Sequence, residues 1–586
     1  MLTSSTASSL GRVISVRGSQ ARVGLMATAT INSSNVRATV GQFFGMRTST
    51  TTIIAMITEV SCENLPSGEN YIAIASVDLL GEIGGGPDGR FQRGVTSYPT
   101  IGDAVDLLTN QQLRTVYAPS KPEQINIGTL QQDPSVTAYV DVEDMLSKHF
   151  AVLGSTGVGK STGVSLLLNE ILSVRPNLRM FLLDVHNEYG RCFGDKSLVL
   201  NPRNLKLPFW LFNFEEFVDV IFGGRPGIPD ELEVLVELIP VAKATYTQYQ
   251  NNDRLGLKRI DSKTVGYTAD TPVPYRLVDL ISLIDERMGR LENRSSRIIY
   301  HKLISRIETV KNDPRYAFMF DNDNVGGDTM ADVLSHLFRL PANGRPMTVM
   351  QLAGFPAEVV DSVVSVLCRM AFDFGLWSDG ASPMLFVCEE AHRYASADRS
   401  VGFGPTRKAV SRIAKEGRKY GVYLALITQR PAELDATIIS QCNTLFAMRL
   451  ANDRDQALLR SAVSDAAANL LSFVPSLGTR EVLAFGEGVA LPTRLRFKEV
   501  PRHQMPRSEA TIATTPSVSG GHDIHFVSSV LERWRGATSQ RETPNDPTFD
   551  RTAAERPVPR APDAPMLQPS LGLDPDRFSL LKKPLR

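Results

Sequence analysis

The sequence predicts an α/β protein: a parallel sheet covered by helices on both faces, preceded by a small β-barrel and interrupted by a mainly helical insertion. Three observations carry that expectation. Short β-rich segments separated by Gly-rich breaks fill roughly the first 115 residues. From about residue 147, short apolar runs alternate with helical stretches. Between about residues 215 and 340, apolar residues recur at helical spacing with no buried-strand run.

The elements follow in order. GRVISVRG and QARVGLMA flank a Gly18-Ser19 turn, TTIIAMITEVSC is β-branched and apolar, and YIAIASVDLLGEI alternates weakly before VTSYPTIGDAVDLLT closes the series. KHFAVLG then leads into a helix opening at Lys160, and RMFLLDV, PMTVMQLA, PMLFVCEE, VYLALITQ and TLFAMRL read as short buried strands. EEFVDVIF, ELEVLVELIPVAKATY and SRIIYHKLISRIETV are helical, and REVLAFGEGVALPTRLRF is a final hairpin. The expected domains are a barrel (1–118), a first core part (119–214), a helical insertion (215–342), a second core part (343–500) and a proline-rich extension (501–586). That extension is too poor in apolar residues to fold alone, although LDPDRFSLLKKPLR could dock as a short helix.

At 586 residues the chain is too long for one core. Lys+Arg and Asp+Glu both number 63, so any basic surface for nucleic acid must be local, such as a pore lining. The five cysteines form no C-x-x-C pair, which argues against a structural metal cluster and for a reducing compartment. The N-terminus lacks a signal-peptide core, and no run approaches the ~18 apolar residues of a membrane span. A cytoplasmic protein without a membrane partner is expected.

The chemistry begins at Gly154-Ser155-Thr156-Gly157-Val158-Gly159-Lys160-Ser161, which satisfies G-x-x-x-x-G-K-[ST] between a strand and a helix. Glycines let the backbone curl so that successive N–H groups face phosphate oxygens, and the helix N-terminus adds to the attraction. Lys160 brings positive charge to the β- and γ-phosphates of ATP, Ser161 can ligate Mg²⁺, and Thr162 completes the binding stretch. The second element is a strand ending in Glu389-Glu390. Glu389 would orient Mg²⁺ through water and Glu390 would polarise the attacking water as general base. Asp-Val-His-Asn-Glu-Tyr at 184–189 follows another strand, where open α/β sheets bind ligands, and reads equally as a hydrogen-bonded loop. Gln429, at the tip of the strand beside the Glu390 strand, can sense the γ-phosphate. Arg418 can stabilise charge developing in phosphoryl transfer, or be a solvated, dipole-stabilised helix end.

These motifs together resemble the HerA family of hexameric DNA translocases, within the wider HerA–FtsK group. The resemblance rests on KHFAVLGSTGVGKS, LLDVHNEY, KLPFWLFNFEEF, LFVCEEAHRY and KEGRKYGVYLALITQRPAELDATIISQCNTLFAMRL, with GRVISV, VDLLGEI and FQRGVTSYPTIGD similar to that family's small barrel. It covers roughly residues 10–500. It implies a RecA-like P-loop ATPase core in a homohexamer, ATP between neighbouring subunits and duplex DNA through a central pore. By motif position it implies phosphate and Mg²⁺ binding by Lys160 and Ser161, water activation by Glu390 and service to the site by Arg418. The family's first carboxylate is usually Asp, where this chain has Glu389. Near the place of its basic residue upstream of the phosphate loop, which acts on the adjacent subunit, stands Lys148, which lacks arginine's bidentate fork and reads also as a solvated strand start. Arg399, Arg407 and Lys408, with Phe403 beside them, are candidates for gripping DNA phosphates, or are solvated loop residues.

The expected function is an ATP-driven DNA translocase or helicase acting with a separately encoded nuclease or NAD-consuming effector in end processing or anti-phage defence. Two alternatives stand beside it: a scaffold whose ring activates an effector without moving DNA, and a secretion or conjugation ATPase.

Overall fold

In the computed structural model, the described residues are 9–26, 38–62, 71–85, 89–119, 121–250, 266–290, 294–321, 327–462 and 469–507, with 527, 528, 531, 532 and 535. Most of the proline-rich extension, including LDPDRFSLLKKPLR, lies outside them.

Among the described residues, seven strands come first: β1 (Gly11–Arg17), β2 (Gln20–Met26), β3 (Phe43–Arg47), β4 (Thr51–Ser61), β5 (Tyr71–Gly84), β6 (Phe91–Arg93) and β7 (Ala104–Leu107). All pair antiparallel in the order β2-β1-β7-β3-β4-β5-β6, and a β2–β5 pairing closes six of them into a barrel. Alternation along β4 decides which way each side chain faces. Ile53, Ala55 and Ile57 fill the barrel with Val23, Phe44 and Val77. Ile54 and Met56 point outward and join the main core beside Leu113 and Tyr117. A strand buried on both faces must be apolar throughout, which is why the TTIIAMI run lacks clean alternation.

The main sheet contains β8 (Gln124–Leu130), β9 (Thr137–Asp141), β10 (His149–Leu153), β11 (Arg179–Asp184), β12 (Ser197–Leu200), β13 (Met347–Gln351), β14 (Met384–Cys388), β15 (Val422–Thr428), β16 (Cys442–Ala447), β17 (Glu481–Gly486) and β18 (Thr493–Phe497). Their order is β12-β13-β11-β14-β15-β10-β16-β17-β18-β8-β9. The run from β12 to β16 is parallel. The remaining four strands are antiparallel, so the sheet is mixed where the sequence predicts a parallel one. Strands β8, β9 and β12 escape the sequence reading. They are short and partly polar, and β8 becomes a strand by pairing with β18, far along the chain.

Among the described residues, six α-helices stand between β12 and β13: Phe214–Phe222, Pro229–Gln250, Leu277–Gly289, Arg294–Lys311, Ala317–Phe320 and Met330–Phe338. Their first turn is tied to the core by a buried ion pair. Asn213 and Glu216 form a capping box. The same Glu216 carboxylate, fully buried, accepts from Arg369 Nη2 at 2.8 Å and Ser365 Oγ at 2.8 Å on the helix Val360–Trp377. Removing either partner would strand a buried charge, at a cost of roughly 3–5 kcal/mol. Among the described residues, no helix is long and apolar enough to cross a membrane.

His149, at the start of β10, locks the parallel sheet to its covering helix. Its Nε2 donates to Ala414 O at 2.9 Å and its Nδ1 accepts from Leu424 N at 2.9 Å. Both ring nitrogens are therefore satisfied only in the neutral form. Burial, with the Arg418 charge assisting, lowers its pKa to about 4. The unfolded chain takes up this proton first, so the associated stability is complete above about pH 6.5 and is lost as pH falls toward 4, about 3 kcal/mol in all. Thermal unfolding followed from neutral to mildly acidic pH should fall less steeply in His149→Gln than in the wild type; parallel slopes would refute the assignment.

Candidate active site

The phosphate loop leaves the C-terminal end of β10. Gly154 N donates to Thr428 O on β15 at 3.2 Å and Ser155 N to Arg449 O at 2.9 Å, so both neighbouring strands hold the loop's start. Gly157 (φ 79°) and Gly159 (φ 93°) adopt the left-handed conformation that side chains disfavour, and Gly159 opens the helix Lys160–Val174. A Cβ on Gly154 would lie 2.8 Å from Met448 Cβ. The β17–β18 hairpin buttresses the same loop. Arg480 N donates to Val158 O at 3.0 Å, and the Phe497 ring packs so closely on Gly163 that an added Cβ would stand 2.6 Å away. The sequence reading assigns neither Arg480 nor Phe497 a role, because only the sheet pairing brings the hairpin to the loop.

Strand β15 separates β10 from β14, and the phosphate loop and the Glu389-Glu390 pair emerge on the same edge. Lys160 is largely buried, with Nζ 3.6 Å from Glu390 Oε1. Burial lowers the Lys160 pKa while Glu390 opposes the shift. Glu390 itself has φ 48°, rare for a non-glycine residue, and both its oxygens face into the site. His186 Nε2 lies 3.7 Å from Oε1, and His392 Nδ1 lies 3.3 Å from Oε2. His392 also bonds Thr428 Oγ1 at 3.0 Å. His186, His392 and Thr428 sit inside the quoted motifs, so the signal was present, but nothing in spacing alone marks them.

Glu389 turns the other way. Its Oε2 accepts from Val185 N at 2.9 Å, and the side chain is buried. Burial and the neighbouring Asp184 push its pKa up to about 8, leaving the carboxyl mostly protonated at neutral pH. Asp184, also pushed up by burial, to about 6, accepts from Glu188 N and Tyr189 N. The 184–189 segment is thus a self-bonded loop that also delivers His186 to Glu390. Gln429 Oε1 accepts from Thr156 Oγ1, joining the β15 tip to the phosphate loop.

The structure divides the remaining candidates. Arg418 is exposed in the turn Gly417–Tyr420, which precedes β15, and Lys148 precedes β10. Both stand at the N-terminal ends of strands whose C-terminal ends carry the site. Seven residues of β15 span about 20 Å, so neither reaches its own subunit's phosphate loop. Lys148 Nζ is instead 3.8 Å from Glu487 Oε1. Arg399, Arg407 and Lys408 follow β14 on the nucleotide edge, with Phe403 at the start of the helix Gly404–Glu416. Arg407 donates to Asp398 O at 3.2 Å, and Lys408 lies 3.5 Å from Glu215 of the insertion. Among the described residues, no group of three or more His, Cys, Asp or Glu could hold a metal by itself.

A family model described as Helicase HerA, central domain, matches residues 125–371. The DNA double-strand break repair helicase HerA of Pyrococcus furiosus is 26% identical over 505 residues, 80% of this chain and 83% of that protein. Its namesake from Sulfolobus acidocaldarius is 25% identical over 412 residues, 68% of this chain and 73% of the relative. Among solved structures, VirB4 of Thermoanaerobacter pseudethanolicus aligns with a TM-score of 0.41 at 14% identity, covering 65% of this chain and 97% of that one. A phosphate loop facing a strand-end glutamate across one intervening strand, in a chain similar over most of its length to these HerA helicases, supports a member of that family, and the protein is an ATP-hydrolysing enzyme.

Proposed function

We propose that the chain works as a homohexameric, ATP-driven DNA translocase or helicase that completes each ATP site from two subunits. The observation that carries this reading is the split of the site residues between opposite edges of one sheet. Lys160, Glu390 and Gln429 occupy one edge, and Arg418 and Lys148 the other. A head-to-tail ring brings the second edge of one subunit against the first edge of its neighbour, and such heterologous contacts close into rings. Arg418 then supplies a fixed positive charge to the neighbour's γ-phosphate, with Lys148 adding charge beside it.

Within one subunit, Lys160 exchanges its contact with Glu390 for the β- and γ-phosphates. That frees Glu390 to accept a proton from the attacking water. Thr156 and Gln429 close over the γ-phosphate from the loop and the β15 tip. The donor set suits Mg²⁺ held jointly with phosphates: the Ser161 hydroxyl and the acids Asp184, Glu188 and Glu389 all neighbour Tyr189, and burial, with neighbouring carboxylates assisting, raises the pKa of Asp184 and Glu389. Magnesium would neutralise phosphate charge there, with Ser161 as ligand and Glu389 acting through water.

Duplex DNA is proposed as the track because the relatives from Pyrococcus and Sulfolobus are described as DNA double-strand break repair helicases. Arg399 and Arg407 are the proposed phosphate contacts, with Lys408 joining when it leaves Glu215. A separately encoded nuclease or NAD-consuming effector would perform any cutting or signalling, in end processing or anti-phage defence.

Lys160→Ala should abolish ATP turnover by removing phosphate affinity, while Glu390→Gln should keep nucleotide binding and lose turnover; normal hydrolysis in either removes its assignment. Arg418→Ala should bind ATP normally yet lose on the order of 10³-fold in rate. Mixing Lys160→Ala with Arg418→Ala subunits should restore activity at roughly a quarter of the interfaces, those pairing an intact phosphate loop with an intact Arg418. No recovery in co-assembled rings would refute the two-subunit site.

A further inference from the structure

The contacts around Glu390 are unequal. Lys160 and His186 touch Oε1, at 3.6 and 3.7 Å. Lys160 is the residue that phosphate draws away, and the His186 side chain is 54% exposed, so neither holds the carboxylate firmly once nucleotide arrives. Oε2 is buried and has no hydrogen bond, although His392 Nδ1 stands 3.3 Å from it.

The Glu390 carboxylate places the proton on that imidazole. Thr428 Oγ1 accepts from Arg430 N at 3.0 Å and lies 3.0 Å from His392 Nδ1, a contact its hydroxyl can make as donor or as acceptor. A bare Nδ1 would set its lone pair against the Glu390 carboxylate. With the proton on Nδ1, one N–H serves Thr428 and inclines toward Oε2, and both acceptors gain. Burial lowers the imidazole's pKa, which favours its neutral form. Thr428 in turn is the residue before Gln429, whose amide oxygen holds Thr156 of the phosphate loop.

We propose that His392 is a positioning residue for ATP hydrolysis: its Nδ1–H holds the Glu390 carboxylate and ties it to the β15 tip that carries Gln429. The inference rests on Glu390 being the general base. When γ-phosphate engages Gln429, the adjacent Thr428 shifts with it, and His392 passes that shift to Oε2, where the 3.3 Å contact closes into a hydrogen bond. Occupancy of the γ-phosphate position and orientation of the base are thereby coupled within one subunit. His392 touches no substrate in this scheme.

Steady-state ATPase and nucleotide affinity of the full chain test it. His392→Ala should lower kcat about tenfold or more while leaving KM and nucleotide Kd within about twofold, since misplacement of a catalytic group acts on the chemical step. His392→Asn, whose Nδ2 sits close to the position of the lost Nδ1–H, should recover most of that rate. Thr428→Val, which removes the hydroxyl at nearly constant volume, should share the kcat defect. Unchanged kcat in His392→Ala overturns the proposal, as does equal loss of affinity and rate with no recovery in His392→Asn, the mark of a merely structural residue. Glu390→Gln separates the two levels. If that variant hydrolyses ATP normally, the general-base reading fails; if it is dead and His392→Ala is wild type, only the positioning role fails.

Discussion

The contact between Lys160 and Glu390 is the constraint around which the molecule is arranged. The two residues are 230 positions apart in the chain, and their strands, β10 and β14, are not neighbours. They meet because β15 is the single strand between them, so two inter-strand spacings, about 10 Å, are all their side chains must bridge. Parallel pairing sends both strands toward the same edge, and that edge becomes the site. The helical insertion between β12 and β13, however large, leaves this geometry alone because it enters and leaves outside the β14-β15-β10 unit.

Electrostatics crowd like charges into this site. Asp184, Glu188, Glu389 and Glu390 crowd a pocket whose positive charge comes from Lys160, which is itself depressed by burial. Burial raises the pKa values of Asp184 and Glu389, and neighbouring carboxylates add to the shift. In the proposed reading, a triphosphate arriving with a divalent cation would satisfy the acids and the lysine together. The left-handed backbone of Glu390 belongs to the same picture: strain is kept where the carboxylate must be aimed.

Support for the phosphate loop comes from an unexpected direction. The antiparallel extension β17-β18-β8-β9 widens the sheet beyond β16, and its Arg480 and Phe497 press on Val158 and Gly163. Barrel and core are joined on the same side of the chain's order. Arg93 of β6 donates to Gly486 O at 2.9 Å, and outward-facing Ile54 and Met56 enter the main core. The barrel and the phosphate loop therefore both contact the β17–β18 hairpin.

Much of this was legible before any fold was known. The phosphate loop is local, since its glycines are required by backbone conformations within a few residues, so Gly157, Gly159, Lys160 and Ser161 announce themselves by spacing. Buried parallel strands are written as continuous apolar runs, and the insertion as helical periodicity, for equally local reasons. What tertiary structure alone decided depends on who neighbours whom. Strands β8 and β9 exist by pairing with a hairpin at the far end of the core. Glu389 faces Val185 N–H and Glu390 faces Lys160, although two adjacent glutamates look alike in sequence. Arg418 and Lys148 are ordinary basic residues until the strand directions put them on the edge opposite their own phosphate loop. Local chemistry is encoded by adjacent residues; polarity, proximity and protonation come from strands brought together across hundreds of positions, and no short window contains them.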